Sequence, residues 1–192
     1  MCIRDSLESS HHDALEELKH GLEQMNLDEE AFDFWHIHGY KNLILKLKEA
    51  IKATQDKLFI SAWKREIDRL NIELNVAEER GLEMTVFSFC ALDKEYGKTI
   101  SYGLDENELR EIWSPKVIMV ADQDTTIMGS ARDQDNSKAI LTQNEAITEI
   151  ATNHIILDIT LAGDRMGFDP NPVVQRVLKR PDIHLDRLLD SK

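Results

Sequence analysis

The sequence predicts an α/β fold in which a mixed sheet is flanked by helices. A buried strand at 58–63, an amphipathic helix at 67–77 and a second apolar strand at 82–92 form a strand–helix–strand unit. Such a unit requires parallel strands joined by a right-handed crossover. Two further apolar segments, 116–121 and 125–130, flank a short acidic turn and predict an antiparallel hairpin. Parallel and antiparallel strands together make the predicted sheet mixed.

The composition limits the function. The chain has 192 residues, 42% of them apolar, and 36 acidic against 23 basic residues give a net charge of −13. This length suits one domain, or one domain with an appendage. The acidic charge argues against the chain itself binding a nucleic-acid backbone, because that requires clustered Lys and Arg.

Membrane segments, metals and cofactors are not predicted. No apolar run approaches the roughly 18 residues of a membrane span, and no signal peptide is visible, so a cytoplasmic protein without a membrane partner is expected. Cys2 and Cys90 form no disulfide framework and match no zinc spacing. His36 and His38 lie on one side of a strand, but no third ligand is evident. Cys90 lies in an apolar strand and is expected to be inert.

The N-terminal part divides into two segments. Residues 1–6 (MCIRDS) fit nothing downstream and are interpreted as a translated sequencing-adapter artefact, which would make the chain a fragment. Residues 7–31 are acidic, and four apolar residues there have the spacing of a coiled-coil seam. These residues are Leu15, Leu18, Leu22 and Met25. The segment is either a dimerising coil or a helix docked on its own domain.

The predicted main domain, 32–162, begins with helices and strands of ordinary amphipathic pattern. A helix at 40–51 presents one apolar stripe. Gly81 follows the crossover helix where a C′ glycine belongs. Residues 93–113 are polar and are interpreted as a loop with a short strand near 99–102.

A last strand at 139–142 and a long helix at 144–161 complete the domain. Asn144 is a good N-cap for this helix. His154 lies on its apolar face and is interpreted as a hydrogen-bonded core residue. The residues assigned to that face are Ile147, Ile150, Ala151, His154 and Ile155.

Residues 163–192 are predicted to form a C-terminal tail. The tail is expected to be loose at first, where it contains Pro170 and Pro172. Short helices are predicted at 173–178 and at 185–189.

The predicted hairpin and its flanks read WSPKVIMVADQDTTIMGSAR. Asp122, followed after six residues by Gly129-Ser130, resembles in its spacing one half of the phospholipase D superfamily signature. The signature runs His, any residue, Lys, four residues, Asp, six residues, Gly-Ser, any residue and Asn. With Asp122 at the Asp of the signature, Pro115 stands at its His and Val117 at its Lys. The match therefore keeps the spacing of the scaffold and loses the two groups that carry the chemistry.

The missing histidine decides how this motif is interpreted. In this register Arg132 also replaces the Asn of the signature. Moving the register by one residue places Lys116 at the Lys of the signature, but it then puts Ser114 at the His and Ala121 at the Asp. Hydrolysis in that superfamily needs an imidazole that attacks phosphorus, and residues 39–153 contain no histidine. The segment is thus a scaffold without its nucleophile, or an unrelated hairpin that ends in Gly-Ser.

The wider pattern resembles the effector-binding region of TrmB-type transcriptional regulators. The segments in matching order are HIHGY, LFISAW, AEERGLEMTVFSF, KVIMVADQDTTIMGS and SKAILTQNEAITEIATNHIILDITL, within 32–162. The resemblance implies a phospholipase D-like mixed sheet flanked by helices, preceded by an N-terminal coil helix and without enzymatic activity.

The resemblance also implies a function. Full-length members carry an N-terminal winged helix that reads DNA, joined to the effector domain by a coil of which 7–25 would be the remnant. The chain would then be the effector-sensing and dimerising portion, a homodimer that contacts DNA only through the missing module. Its effector would be a small molecule, with sugars as candidates because some members bind maltose-like sugars. The alternatives are a diverged phospholipase D-like phosphodiesterase and a pure dimerisation or interaction module.

Strand ends and turns near the lost active site are the expected place for a ligand. Trp63 is expected to stack on a sugar face or to serve as packing, and the polar residues to hydrogen-bond hydroxyl groups. Asn144 has the alternative role of a helix cap, and Asp122 that of a turn residue. The candidate ligand-binding residues are Ser61, Trp63, Asp122, Ser130, Arg132 and Asn144.

Overall fold

The computed structural model describes residues 34–177. The predictions for 1–31 and for 185–189 lie outside the described residues. The strands are β1 (Phe34–His38), β2 (Lys57–Ser61), β3 (Glu83–Cys90), β4 (Lys98–Leu104), β5 (Lys116–Ala121), β6 (Thr125–Ser130) and β7 (Lys138–Thr142). The helices are α1 (Tyr40–Ala53), α2 (Lys64–Glu79), α3 (Glu106–Ile112), α4 (Glu145–Met166) and α5 (Asn171–Val177).

The strands form one sheet in the order β1-β7-β6-β5-β2-β3-β4. β2, β3 and β4 are parallel to one another, whereas all the other neighbouring pairs are antiparallel. β2, α2 and β3 are the predicted strand–helix–strand unit, and β5 with β6 is the predicted hairpin. The prediction of a mixed sheet flanked by helices is therefore confirmed.

The strand directions bring strand ends and strand starts to one edge of the sheet. β2 and β6 end there at Ser61 and Ser130, and β5, which is antiparallel to both, begins there at Lys116. β3 and β4 end on the same edge at Cys90 and Leu104. We call this boundary of the sheet, which runs across the strand ends and not along an outer strand, the C-terminal edge, because most of the strands end on it.

Helices cover both faces of the sheet. Along β2, Leu58 and Ile60 pack with the buried residues of α1 and α2, whereas Phe59 between them packs with α4. This alternation is the two-residue period of a strand. Burial on both faces explains why the central strands read as nearly continuous apolar runs. Among residues 34–177, no helix combines the length and apolarity needed to cross a membrane.

The long helix α4 differs from its prediction in its buried face. Ile150 is 61% exposed, and His154 is exposed as well. Small residues dominate the buried face instead, which consists of Thr148, Ala151, Ile155, Ile159, Ala162 and Gly163. Because apolar side chains surround the whole helix, the 3.6-residue period does not distinguish the face that packs on the sheet. The interpretation of His154 as a core residue is wrong.

The same helix also continues past its predicted end. It runs to Met166 and ends at Gly167, which adopts a left-handed conformation with φ 74°. Gly163 lies inside the helix, and a side chain would not fit there because the chain returns closely over it. A Cβ atom at this position would lie 2.8 Å from the carbonyl oxygen of Phe168. Phe168 packs against the cluster under α4, and α5 begins at Asn171, so the stretch predicted to be loose is packed. The short helix predicted at 173–178 is confirmed, with Val173 buried in the same cluster.

The region predicted as a loop with a short strand contains two complete elements, β4 and α3. Asp105 caps α3 by accepting hydrogen bonds from the backbone N–H groups of Asn107 (2.9 Å) and Glu108 (3.1 Å). Leu109 is the buried residue of this seven-residue helix. A helix with one buried position shows no apolar period, which is why the sequence did not reveal it.

Gly129 in β6 generates a test of the sheet, because β7 passes too close for any side chain at this position. A Cβ atom at Gly129 would overlap the Cα and Cβ atoms of Ala139 and lie 2.6 Å from the carbonyl oxygen of Lys138. We expect Gly129→Ala to lower the free energy of unfolding by about 1–3 kcal/mol in urea denaturation. Ser130→Ala, one residue along the strand, is the matched control and should change it by less. An equal loss in both variants would contradict the close approach of β7.

Candidate functional site

A cavity of about 130 Å³ opens at the C-terminal edge, on the face that α4 covers. Its walls come from the end of β2, from β3, from the start of β5 and from α4. We call it the aromatic cavity. It is lined by Ser61, Trp63, Phe89, Trp113, Ser114, Lys116, Ile118, His154 and Asp158.

Three aromatic side chains shape this cavity. Trp63 is 4% exposed and packs with Cys90 and Leu109, so it serves as a fixed wall. Trp113 is 51% exposed, and its ring centroid lies 5.3 Å from that of Phe89. A half-exposed indole held against another ring can offer a flat apolar surface to a ligand.

Polar groups reach the cavity from two sides. His154 and Asp158 are one turn apart on α4, with the imidazole Nε2 3.6 Å from the carboxylate Oδ2. Lys116 places its ammonium 5.9 Å from the centroid of the Trp113 ring. Burial raises the pKa of Asp158, although His154 and Lys116 oppose this shift. The cavity thus combines an apolar ring surface with groups that can hydrogen-bond a ligand.

A second cavity of about 410 Å³ adjoins the first and shares Trp113 and Ser114 with it. We call it the arginine cavity. It is lined by Arg65, Arg110, Trp113, Ser114, Pro115, Arg132, Asp133 and Gln134. The guanidinium Nη2 of Arg132 donates to the Oγ of Ser114 at 2.6 Å. This hydrogen bond spans the start of β5 and the end of β6.

Arg65 is held in the arginine cavity by a buried carboxylate. Its Nε donates to the Oε1 of Glu66 at 2.9 Å, and the hydroxyl of Tyr40 donates to the same oxygen at 2.7 Å. The Nη2 of Arg65 donates to the carbonyl oxygen of Ala131. Glu66 is 0% exposed, and this burial raises its pKa even though Tyr40 and Arg65 favour the ionised form.

Four of the six predicted site residues lie at the C-terminal edge. Ser61 and Trp63 line the aromatic cavity, and Arg132 lines the arginine cavity. Ser130 lies beside Arg132 in a separate depression of about 260 Å³ that shares Arg132 with the arginine cavity. The structure thus brings these four residues to one edge, over two adjoining cavities.

Asp122 and Asn144 lie at the opposite edge of the sheet. Asp122 occupies the turn between β5 and β6, where it and Gln123 both have positive φ, 52° and 57°. The side chain of Asn144 accepts a hydrogen bond from the backbone N–H of Ile147 at 3.2 Å and caps α4. The structure separates both residues from the other four, and it gives each of them a local structural role.

Residues 33–154 match the family described as "Transcriptional regulator TrmB, EBD N-terminal subdomain", where EBD is the effector-binding domain. The chain belongs to the TrmB family of transcriptional regulators. The resemblance found in the sequence is therefore confirmed, and membership implies a regulatory role.

Individual relatives of this TrmB-family chain are distant. The protein YrhO of Bacillus subtilis (strain 168), described as uncharacterized, is 21% identical over 151 residues. The alignment covers 79% of this chain and 54% of YrhO, so the chain spans about half the length of that curated relative.

Solved structures of similar fold include TrmBL2, an archaeal chromatin protein reported to show a novel mode of DNA binding. It aligns with a TM-score of 0.50 and 14% identity over 80% of this chain and 61% of that chain. NucT from Helicobacter pylori has a TM-score of 0.43 at 13% identity, covering 64% of this chain and 93% of that chain. Nuc from Salmonella typhimurium, a phospholipase D family member, has a TM-score of 0.46 at 13% identity over 64% and 91% of the two chains.

In the hairpin of this TrmB-family chain, other residues occupy the His and Lys positions of the phospholipase D signature. Val117, at the Lys position of the signature, is 0% exposed and belongs to the core under α1 and α2. Pro115, at the His position, is buried, and its carbonyl oxygen accepts a hydrogen bond from the backbone N–H of Ala131 at 3.0 Å. Moving the register to accept Lys116 brings no histidine to the cavity from β5.

Three further residues with reactive side chains, His36, His38 and Cys90, lie outside the lining of both cavities. The rings of His36 and His38 lie 6.4 Å apart on the exposed edge strand β1. Within residues 34–177, no group of three or more His, Cys, Asp or Glu side chains is arranged to hold a metal ion. Burial raises the pKa of the Cys90 thiol, which fits its expected inertness.

Sequence reasoning missed several residues that line the cavities. The predicted strands indicated where Lys116 lies, because a strand β5 antiparallel to β2 must begin near Ser61, where β2 ends. His154 and Asp158 gave no such signal, since nothing in the sequence indicates which side of α4 faces the edge. Arg65 was missed because its place depends on the partner that holds it, Glu66.

The carboxylate of Asp122 generates a prediction about acid stability. It accepts three backbone hydrogen bonds, from the N–H groups of Gln55 (2.9 Å), Asp56 (2.8 Å) and Lys57 (3.0 Å). Burial works against ionisation, but these three donors outweigh it and lower the pKa of Asp122. Because the folded-state pKa is lowered, the stabilisation is fully present above the unfolded pKa of about 3.9 and disappears as the pH falls through the folded-state pKa.

We expect Asp122→Asn to reduce the free energy of unfolding by about 1 kcal/mol at neutral pH, because Asn keeps the positive φ and loses the charge. The difference from the wild type should shrink as the pH falls below about 4. Urea denaturation at a series of pH values measures it. Asp124→Asn in the same turn is the matched control, since Asp124 accepts side-chain hydrogen bonds from Thr125 and Gln143. A pH-independent difference would contradict the role given to the Asp122 charge.

Proposed function

We propose that this chain is the effector-sensing portion of a TrmB-type transcriptional regulator and that the effector binds in the aromatic cavity. The observation that carries the proposal is the junction at the C-terminal edge. There the end of β2, the start of β5 and α4 enclose two tryptophans together with His154 and Asp158. A concave apolar surface with a few convergent polar groups is the usual form of a small-molecule site.

The size and chemistry of the cavity favour a small ring. Its volume of about 130 Å³ is below the roughly 300–1,000 Å³ of pockets for drug-sized ligands. It therefore suits one ring, or one end of a larger ligand. Trp113 can stack on the apolar face of a sugar, while Ser61 and His154 can hydrogen-bond hydroxyl groups. A saccharide effector fits this combination.

The proposal is regulatory and not enzymatic. The Lys position of the phospholipase D signature is Val117, buried in the core, and the His position is Pro115. A serine without an adjacent base is a poor nucleophile. We therefore assign the edge to ligand binding rather than to phosphodiester cleavage.

Effector binding would act through a homodimer. The ligand would contact both α4 and the segment before β5. A dimer arrangement in which these two elements of a protomer lie closer together would therefore bind the ligand more tightly. That difference in affinity would shift the dimer between arrangements, and the segment 7–31 would pass the change to N-terminal winged helices on DNA. Spin-label distances across the dimer, with and without effector, test this coupling, and one unchanged distance would contradict it.

The binding test uses the intrinsic fluorescence of the cavity. Trp35→Phe removes the tryptophan on β1, so that the remaining signal comes from Trp63 and Trp113. In this background we expect one or more members of a panel of mono- and disaccharides to change the fluorescence saturably. We expect His154→Ala to weaken that binding roughly tenfold or more, the cost of one lost hydrogen bond in a site of this kind.

The matched control is His36→Ala, an exposed histidine on β1 outside the lining of both cavities. It should leave the affinity unchanged. A flat response to the whole panel from a protein with a cooperative melt would contradict a saccharide effector. Equal weakening by His154→Ala and His36→Ala would contradict the placement of the ligand.

A further inference from the structure

Positive charge collects at the C-terminal edge of an acidic chain. The chain has a net charge of −13, yet three guanidinium groups line the arginine cavity, those of Arg65, Arg110 and Arg132. The ammonium of Lys116 lies across the wall that the two cavities share, beside Trp113. Like charges gathered in one concave place repel one another, and a bound anion relieves that repulsion.

Two of these cations have no carboxylate partner. Arg110 pairs with Glu106 at 2.7 Å, and Arg65 pairs with Glu66 at 2.9 Å. Neither Arg132 nor Lys116 has a carboxylate oxygen within 4 Å among residues 34–177.

Two acids nevertheless lie close to these unpaired cations. Asp133 lines the arginine cavity and is exposed, and Asp158 attracts Lys116 from the aromatic cavity. These acids reduce the local positive potential, but neither forms an ion pair with Arg132 or Lys116 within 4 Å in the described part of the chain, so both cations can still interact with a ligand.

The donors are already oriented. Lys116 pairs with Ser130 across the hairpin, and continuing that register by two positions places Ser114 opposite Arg132. The hydrogen bond between Arg132 and Ser114, 2.6 Å long, holds one edge of the guanidinium. In the described part of the chain, the Nε and Nη1 of Arg132 and the Nη1 of Arg65 have no acceptor. Guanidinium groups with free N–H donors match the geometry of phosphoryl oxygens.

We propose that the arginine cavity binds the phosphoryl group of a phosphorylated small-molecule effector whose ring occupies the aromatic cavity. The two cavities adjoin across the shared residues Trp113 and Ser114, so a ligand that reaches over this wall can contact both. Arg132 would supply the unpaired charge inside the arginine cavity, and Lys116 would add a second positive charge from the other side of the shared wall. This inference rests on the proposed function and names the chemical class of the effector.

Inorganic phosphate is the probe for the phosphoryl group alone. We expect phosphate to raise the melting temperature of the full chain relative to chloride at equal ionic strength. Arg132→Gln should weaken phosphate binding by roughly tenfold to a hundredfold, as expected for a lost charge-assisted hydrogen bond, and Lys116→Gln should weaken it by less, because Lys116 acts from the other side of the shared wall. The matched control is Lys98→Gln, which removes one positive charge from an exposed residue at the start of β4, on the opposite edge. It should leave the phosphate response unchanged.

A second arm compares glucose 6-phosphate with glucose in the Trp35→Phe background. We expect the phosphorylated sugar to bind at least about tenfold more tightly, and Arg132→Gln to abolish most of that difference. Phosphate responses that are the same in all four proteins would overturn the inference, and so would no response in the wild type. Displacement of phosphate by a short DNA duplex and not by glucose 6-phosphate would overturn it as well.

The two proposals fail in different ways. Saccharide binding that is sensitive to His154→Ala, without any advantage for glucose 6-phosphate, would overturn the phosphoryl subsite and leave the effector cavity in place. A phosphate response lost in Arg132→Gln, with no ring compound bound in the aromatic cavity, would instead contradict the proposed effector site.

Discussion

The buried carboxylate of Glu66 fixes the geometry on which the edge of the sheet depends. Burying a carboxylate to 0% exposure is costly unless donors compensate for the lost water. Here Tyr40 and Arg65 both donate to Oε1, while Oε2 has no hydrogen-bond partner among the described residues. Glu66 lies in the first turn of α2, where the helix dipole also favours a negative charge. Arg65 continues the network to the carbonyl oxygen of Ala131. One carboxylate thereby ties α1, α2 and the end of β6 together and fixes a guanidinium in the arginine cavity.

Both cavities exist because one strand runs against its neighbours. β5 lies antiparallel between β2 and β6, so its start meets their ends at one edge. The residues just before β5, Trp113 and Ser114, therefore separate two depressions: one beside Ser61 and α4, the other beside Arg132. In an all-parallel sheet the start of β5 would lie at the other edge, and no such wall would form.

The sequence predicted the layers better than the site. The unit β2–α2–β3 and the hairpin could be found because strands buried on both faces leave long apolar runs. α3 could not be found, because Leu109 is its buried position, and Ile150 was misplaced because apolar residues surround α4. Among the site residues, Ser61 and Trp63 follow from strand ends gathering at one edge. Asp122 and Asn144 are predicted from their places in a turn and at a helix start, where polar side chains serve backbone N–H groups as readily as ligands.

The lining of the arginine cavity supplies guanidinium donors for the proposed phosphoryl group and, within residues 34–177, contains no imidazole. Cleavage would need a nucleophile whose proton a neighbouring base removes. The hydroxyl in the lining is that of Ser114, and its oxygen accepts a hydrogen bond from Arg132, which draws electron density from the lone pairs. Fixed guanidinium donors that bind the ground state and a developing transition state equally add affinity without adding rate. A site of this kind would hold its ligand unchanged, as the proposed regulator requires, because the response is set by the fraction of sites that the effector occupies and by its difference in affinity for the two arrangements.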